Sequence, residues 1–214
     1  ETTCPSGVDY HHLLDTGRER IARDTRRPLL QRGLRFLLRQ LLARSRRFTL
    51  LLRTGQAFRP LLPAGLKARL PARQHLPHIE PRPHTRRMLL LDGCVQPALA
   101  PQINHATVTL LDRLGIETIV AKGSGCCGGL SHHLDAAAEA RMFMRRNIDA
   151  WWPAIEDGAE AIVITASGCA PTVKEYARLL ADDSAYAGKA ARVSELARDV
   201  SEIVASELAD RDLS

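Results

Sequence analysis

Three short apolar runs in the second half of the chain each end in a glycine-containing turn that carries cysteine, and this repetition limits the possible folds more than any other feature. Arg87-Met88-Leu89-Leu90-Leu91 runs into Asp92-Gly93-Cys94, and Ala161-Ile162-Val163-Ile164-Thr165 runs into Ser167-Gly168-Cys169. Between them, Ile116-Glu117-Thr118-Ile119-Val120-Ala121 leads to Gly123-Ser124-Gly125-Cys126-Cys127-Gly128-Gly129. Such runs are too short for helices and rich in branched side chains, which marks them as buried strands. The intervening segments carry helical signals, from about Pro101 to Leu114, closed by Gly115, and from roughly Leu134 to Trp151, extending past Pro153 with a kink. Two more helices are expected over Thr172 to Leu180 and from Lys189 to about Ala209.

Alternating strands and helices predict an α/β fold, a parallel sheet covered by helices through right-handed crossovers. The carboxyl ends of parallel strands share one edge, where open α/β folds place ligands. Cys94, Cys126, Cys127 and Cys169 are therefore expected to converge there, although 31 residues separate Cys94 from Cys126 and 41 separate Cys127 from Cys169. Those intervals are far longer than a zinc-finger loop, so topology and not local spacing must bring the thiols together.

The first part of the chain reads differently. Val8 to Arg23 has the pattern of a helix capped by Asp9, with Leu13, Leu14 and Ile21 on one side, ending near Pro28. Leu29 to Leu62 interleaves leucine with arginine, as amphipathic helices broken at Gly55 and Pro60 would. Pro63, Pro71, Pro77, Pro81 and Pro83, with His75, His78 and His84 among them, fit an extended linker. The expected organisation is a helical region at 1–62, a proline-rich linker at 63–86 and a cysteine-rich α/β domain at 87–214. Charge supports the division, since residues 1–87 carry 19 Lys and Arg against 6 Asp and Glu, whereas residues 88–214 carry 11 against 18.

With 45% apolar and 25% charged residues, the 214-residue chain has a globular composition. No aliphatic run approaches the roughly 20 residues needed to cross a bilayer. The chain opens on Glu1 without a signal-peptide pattern, and we expect it to begin inside a longer protein. Five cysteines, two of them adjacent, make a disulfide framework improbable and place the chain in the cytoplasm, with the inner face of the membrane as a further option.

Four thiolates on one rim can hold an iron-sulfur cluster or a tetrahedral zinc ion, because soft sulfur ligands suit both. Gly93, Gly125, Gly128, Gly129 and Gly168 allow close backbone approach, with amide hydrogens available to the sulfur atoms. Two other readings exist: small buried residues packed in turns, or a nucleophilic thiol at Cys126 or Cys127 activated by a following helix.

The segments Asp92-Gly93-Cys94-Val95-Gln96-Pro97, Gly125-Cys126-Cys127-Gly128 and Ser167-Gly168-Cys169 resemble the cysteine-rich repeat named for its Cys-Cys-Gly core, found in heterodisulfide reductase subunits and related oxidoreductases. Within that group the chain is similar to the iron-sulfur subunits of glycolate oxidases, a likeness that also covers Thr3-Cys4-Pro5-Ser6-Gly7-Val8, the segment from Asn147 to Glu156, and Val173-Lys174-Glu175-Tyr176. The resemblance implies an electron-transfer subunit that accepts electrons from a partner flavoprotein, which carries FAD and oxidises glycolate to glyoxylate, and passes them towards a respiratory acceptor. It implies no catalytic residue in this chain, and cluster ligation, as 4Fe-4S or with zinc as the alternative, by Cys94, Cys126, Cys127 and Cys169. Cys4 resembles the last cysteine of a ferredoxin-type run, so residues 1–62 would combine the tail of such a domain with basic helices. Its metal partners would lie outside this chain. The broader repeat can end in Cys-x-x-Cys, but Thr172 stands at that position, leaving four candidate ligands where five would support an unusual two-part cluster. Alternatives are a zinc-bound or metal-free docking subunit, and the equivalent subunit of a complex oxidising lactate or another 2-hydroxy acid.

The arginine-rich stretch from Arg18 to Arg73 has few aromatic residues to stack on bases, so nucleic acid is set aside in favour of a partner-subunit or peripheral-membrane surface. His11-His12 and His132-His133 are read as surface or capping residues, with His132 a candidate neighbour of the metal ligands, and Trp151-Trp152 as packing. Lys174 and Glu175 are assigned no chemistry.

Overall fold

A computed structural model describes residues 7–8, 10–77, 79 and 82–209; Cys4, Asp9, His78 and Pro81 lie outside them. The chain opens with helices α1 (Tyr10–Asp24), α2 (Leu29–Leu42), α3 (Ser45–Ala57) and α4 (Ala64–Arg69), with a 3-10 turn at Arg59–Leu61 between the last two. The helix break falls at Ala43 and Arg44, and α3 runs straight through Gly55, where a break was expected. Among the described residues from 71 to 85, none lies in a helix or strand.

Strands β1 (Arg86–Leu90), β2 (Ile116–Ile119) and β3 (Ile162–Ile164) occupy the three expected runs, and all pair in parallel. A fourth, β4 (Ala197–Asp199), follows helix α11 (Ala187–Leu196) and precedes α12 (Val200–Leu208), so the single helix expected over this region is divided by a strand. Ala-Arg-Asp has no intrinsic strand preference. Pairing with β3, Ala197 opposite Ile162, imposes the conformation by burying Ala197 completely.

The sheet order is β2-β1-β3-β4. Its period-2 alternation divides the core. Leu89, Leu91, Ile162 and Ile164 pack on one face with Ile148 and Trp151, whereas Met88, Leu90 and Val163 pack on the other with Leu111 and Ile203. The first face is covered by α8 (Ala137–Glu156), which crosses Pro153 without ending because that proline sits on its exposed side, and by α9 (Cys169–Lys174) and α11. The second face is covered by α6 (Pro101–Arg113) and α12. Burying side chains of this size contributes about 1.5–3 kcal/mol each, which is why four strands of three to five residues hold together. The remaining short helices are α5 (Gln96–Leu99), α7 (Gly129–His133) and α10 (Tyr176–Leu179).

Beside β1 lie β2 on one side and β3 on the other, so the winding reverses at the β1/β3 pair. Ligand crevices of open α/β sheets form at this kind of reversal. The turns that follow β1 and β3 carry Cys94 and Cys169.

The basic helices dock onto the acidic domain through ion pairs. Arg27 and Arg35 both reach Asp135, at 2.7 and 2.6 Å, and Arg39 and Arg44 reach Glu139, at 2.7 and 3.4 Å. The opposite charges of the two parts of the chain thus meet within one molecule.

Candidate metal centre

Each thiol is delivered by a turn at the carboxyl edge of the sheet. Cys94 follows β1 after Gly93, Cys126 and Cys127 lie between β2 and α7, and Cys169 is the first residue of α9, just past β3. The Sγ atoms of Cys127 and Cys169 are 3.2 Å apart. Cys94 lies close enough to Cys126, and Cys126 to Cys127, for each thiol to shift its neighbour's ionisation, which orders the sulfurs as Cys94, Cys126, Cys127, Cys169. Cys126 and Cys127 are only 2% and 5% exposed, and the outer two are half-buried.

The row is held by its own backbone and by side chains from distant helices. Gly128 and Gly129 donate their amides to the sulfurs of Cys126 and Cys127, both at 3.4 Å. Gly128 has φ +89°, and a Cβ there would stand 2.9 Å from the Ala140 carbonyl oxygen. Buried Asn147, on α8, accepts from the Gly125 amide at 2.9 Å and donates to the Cys126 carbonyl at 2.9 Å and the Tyr176 hydroxyl at 3.2 Å. The fully buried Tyr176 in turn donates to the Cys127 carbonyl at 2.7 Å. Arg146 lies over the Phe143 ring at 5.1 Å, with its guanidinium beside Gly125, bringing a positive charge next to the double cysteine. Ala43, at the end of α2, packs with Phe143 against Cys126, so the helical region closes one side of the row.

Crowding and burial favour the neutral thiols. Cys94 is pushed well above the usual thiol range by its bond to Cys126 and by burial. Cys126 is raised to about 11, chiefly by its bond to Cys127, with the Cys94 bond acting the other way and burial adding to the rise. For Cys127 the Cys126 bond favours the thiolate, but the Cys169 sulfur and burial outweigh it and push the group up to about 12. A nucleophilic cysteine needs a lowered pKa; these three are shifted the opposite way. A bound cation would remove the mutual repulsion of the thiolates.

The donor set fits a metal or cluster: soft sulfurs in contact, amides donating to two of them, and a cavity of about 280 Å3 beside Cys94 and Cys169, lined by Leu91, Val95, Ile103 and Ile164. Thr172 is buried, with its hydroxyl donating to the Gly168 carbonyl at 3.3 Å, and a Cβ on Gly129 would stand 2.7 Å from that hydroxyl oxygen.

His132 does not join the row; its Nε2 lies 3.2 Å from an Asp15 carboxylate oxygen that also accepts from Arg178 at 2.9 Å. His12 likewise pairs with Glu175, at 3.1 Å. Trp151 is fully buried core, as its reading as packing requires. Asn147 and Tyr176 entered the sequence reading only within segments of resemblance. Polar residues at helical spacing carry no signal of what they clamp, and only their complete burial identifies them.

A profile for the cysteine-rich domain family CCG matches residues 88–174. The chain is 50% identical, over 97% of its length and 51% of the relative's, to the glycolate oxidase iron-sulfur subunit of Escherichia coli K12. It is 27% identical, over 95% of its length and 51% of the relative's, to the Bacillus subtilis protein named "Probable glycolate oxidase iron-sulfur subunit". Lactate utilization protein A of Bacillus licheniformis is 29% identical over 59% of the chain and 51% of that protein. The chain spans about half the length of the curated relatives it matches. No solved structure gives a significant match. The four cysteines of the row all lie in the segment that matches the cysteine-rich domain profile, within a chain half identical to the aligned part of the Escherichia coli iron-sulfur subunit.

Proposed function

We propose that Cys94, Cys126, Cys127 and Cys169 ligate one 4Fe-4S cluster, and that the chain carries electrons within a glycolate-oxidising complex from a flavin-bearing subunit towards a respiratory acceptor. The observation that carries this reading is the continuous row of sulfurs at the β1/β3 reversal, with 3.2 Å between Cys127 and Cys169. When bound, such a cluster supplies one-electron transfer at a potential set by its ligands and their hydrogen bonds.

The chain's own residues bind, orient and shield. The thiolates hold the metal, and the Gly128 and Gly129 amides offset charge on two sulfurs. Asn147 fixes the backbone between those sulfurs and Tyr176 the peptide just past them, and Ala43 and Phe143 keep water from Cys126. No carboxylate, histidine or hydroxyl of the chain is assigned a proton-transfer step; oxidation of the hydroxy acid belongs to the flavin subunit. The name of the Bacillus licheniformis relative makes lactate the second candidate substrate of the complex.

Anaerobic purification with iron, sulfide and zinc analysis tests the reading. We expect about four iron and four sulfide per cluster site and a paramagnetic signal on reduction. Cys126→Ser and Cys169→Ser should each lose most of the iron. A colourless protein holding one zinc ion would overturn the electron-transfer role. Reduction of the cluster in the assembled complex by glycolate but not by lactate would settle the substrate.

A further inference from the structure

Helix α1 meets the α/β domain through polar groups. Among its residues whose burial is described, Asp15 alone is buried. A carboxylate taken out of water is costly unless other groups compensate its charge. Two imidazoles converge on this one. His132 Nε2 lies 3.2 Å from Asp15 Oδ2, and one donor atom from each of Asp15, His132 and His133 lies within 4.8 Å of the other two. The two rings are tilted by 56° with centroids 5.4 Å apart. Burial falls off from Asp15, 5% exposed, through His132, 13% exposed, to the exposed His133, so the group opens onto the surface.

The spacing and the surroundings suit a cation. Two ligands of a tetrahedral zinc ion, each about 2.0–2.2 Å from it, stand about 3.3–3.6 Å apart. The 3.2 Å between Asp15 and His132 is close to that, so an ion replaces their hydrogen bond with little movement. Arg178 donates to the same Asp15 oxygen at 2.9 Å, and ligating carboxylates are commonly steadied by such a donor outside the ligand set. Its charge does not cancel the site, because Arg178 also pairs with Glu175; two carboxylates against one guanidinium leave a net negative charge beside the imidazoles. A cavity of about 540 Å3, lined by Asp15 and His132 together with Arg18, Arg23 and Arg141, adjoins the group. It leaves room for water at a fourth position, and its arginines favour a small anion there. Two nitrogens and one carboxylate oxygen suit zinc, whereas magnesium and calcium take oxygen ligands.

We propose that Asp15, His132 and His133 bind one zinc ion that fastens α1 to α7, the helix whose first amide, that of Gly129, donates to the Cys127 sulfur. The ion is separate from the thiol row, and the inference stands whether or not that row holds a cluster. Zinc titration of the anaerobically purified full chain by calorimetry, with X-ray absorption at the zinc edge, tests it. We expect one zinc per chain in addition to any iron, with its ligands at about 2.0–2.2 Å, the distance of nitrogen and oxygen, and not at the roughly 2.3 Å of sulfur. Zinc held by the cysteines of an iron-free chain would show the sulfur distance and so be told apart. His133→Ala, at an exposed position, and Asp15→Asn should each weaken binding at least tenfold, since losing even a partner outside the ligand set costs about 10–100-fold. His75→Ala, in the linker, should bind as the parent does, and excess magnesium should not compete. With free zinc at about 100 times its Kd, amides of α1 should exchange about 100-fold more slowly in the parent and be unchanged in His133→Ala. Circular dichroism on the same samples keeps loss of fold distinguishable from loss of the ion. Zinc bound only through sulfur, equal affinity in the parent and both substituted chains, or α1 exchange that bound zinc leaves unmoved would overturn the inference.

Discussion

The Tyr176 hydroxyl, fully buried, donates to the carbonyl oxygen of Cys127 at 2.7 Å, so a residue 49 positions away along the chain fixes the backbone just past the double cysteine. Asn147 completes the clamp through Gly125, Cys126 and the same hydroxyl. Tyr176→Phe leaves one buried carbonyl without its donor and should cost about 1–2 kcal/mol, and Asn147→Ala, which strands two backbone groups, about 2–4 kcal/mol. Urea unfolding measures both. If these residues position the sulfurs, the reduction potential of the loaded centre also moves in Tyr176→Phe, which a purely structural role would leave in place.

Two glycines of the site should respond oppositely to alanine. Gly128 has φ +89° and its added Cβ meets the Ala140 carbonyl at 2.9 Å, so Gly128→Ala should destabilise by about 2–3 kcal/mol and lower iron content. Nothing lies within 4 Å of a Cβ on Gly168, whose φ is −78°. Gly168→Ala should fall between neutral and about 1 kcal/mol stabilising, and thermal denaturation of the two variants side by side checks the contrast.

The metal-free protein should lose stability in alkali. Cys126 and Cys127 titrate higher in the folded chain, at about 11 and 12, than an unfolded thiol, near 8.5. Their contribution is whole below the unfolded value and is lost as pH rises through the folded ones, because only the unfolded chain releases protons early. Urea midpoints of the apo protein should therefore fall between about pH 8.5 and 12, and iodoacetamide should react slowly with both thiols below about pH 10. At the acid end, Glu202 and Asp199 are held below the carboxylate range, Glu202 chiefly by Lys174 and Asp199 chiefly by Ser201, so their contribution disappears only as pH falls below about 4.

Glu139 is the latch of the helical region, accepting from Arg39 at 2.7 Å, Arg44 at 3.4 Å and Ser131 at 3.1 Å. Glu139→Gln leaves the half-buried Arg39 without its counter-charge and should cost about 1–3 kcal/mol, discounted for the solvent that reaches the pair. As α2 and Ala43 loosen, alkylation of Cys126 should accelerate while β1 and β3 amides stay protected from exchange. Equal loss of protection throughout the sheet would show that Glu139 supports the domain as a whole.

Strand and helix alternation, the turns that end β1, β2 and β3, and the gathering of four cysteines at one sheet edge were all legible in the order of residues. Burial of a short strand on both faces demands contiguous apolar side chains, and parallel strands share a carboxyl end whatever their order. β4 was not legible, because Ala197-Arg198-Asp199 is extended only through its pairing with β3. The helix break at Ala43 was missed for a related reason, since Gly55 offered the stronger local signal.

What the sequence by itself determined is the kind of side chain on offer: soft sulfurs, glycines beside them, and a basic half opposite an acidic one. What only the tertiary structure decided is which groups touch. The order β2-β1-β3-β4 puts Cys94 and Cys169 on either side of the double cysteine. Packing of α8 and α10 buries Asn147 and Tyr176 against its carbonyls. Asp135 and Glu139 turn the arginines of α2 inward and its leucines outward. Such contacts link residues tens to more than a hundred positions apart, and periodicity, which reports only a residue's relation to its near neighbours, holds no record of them.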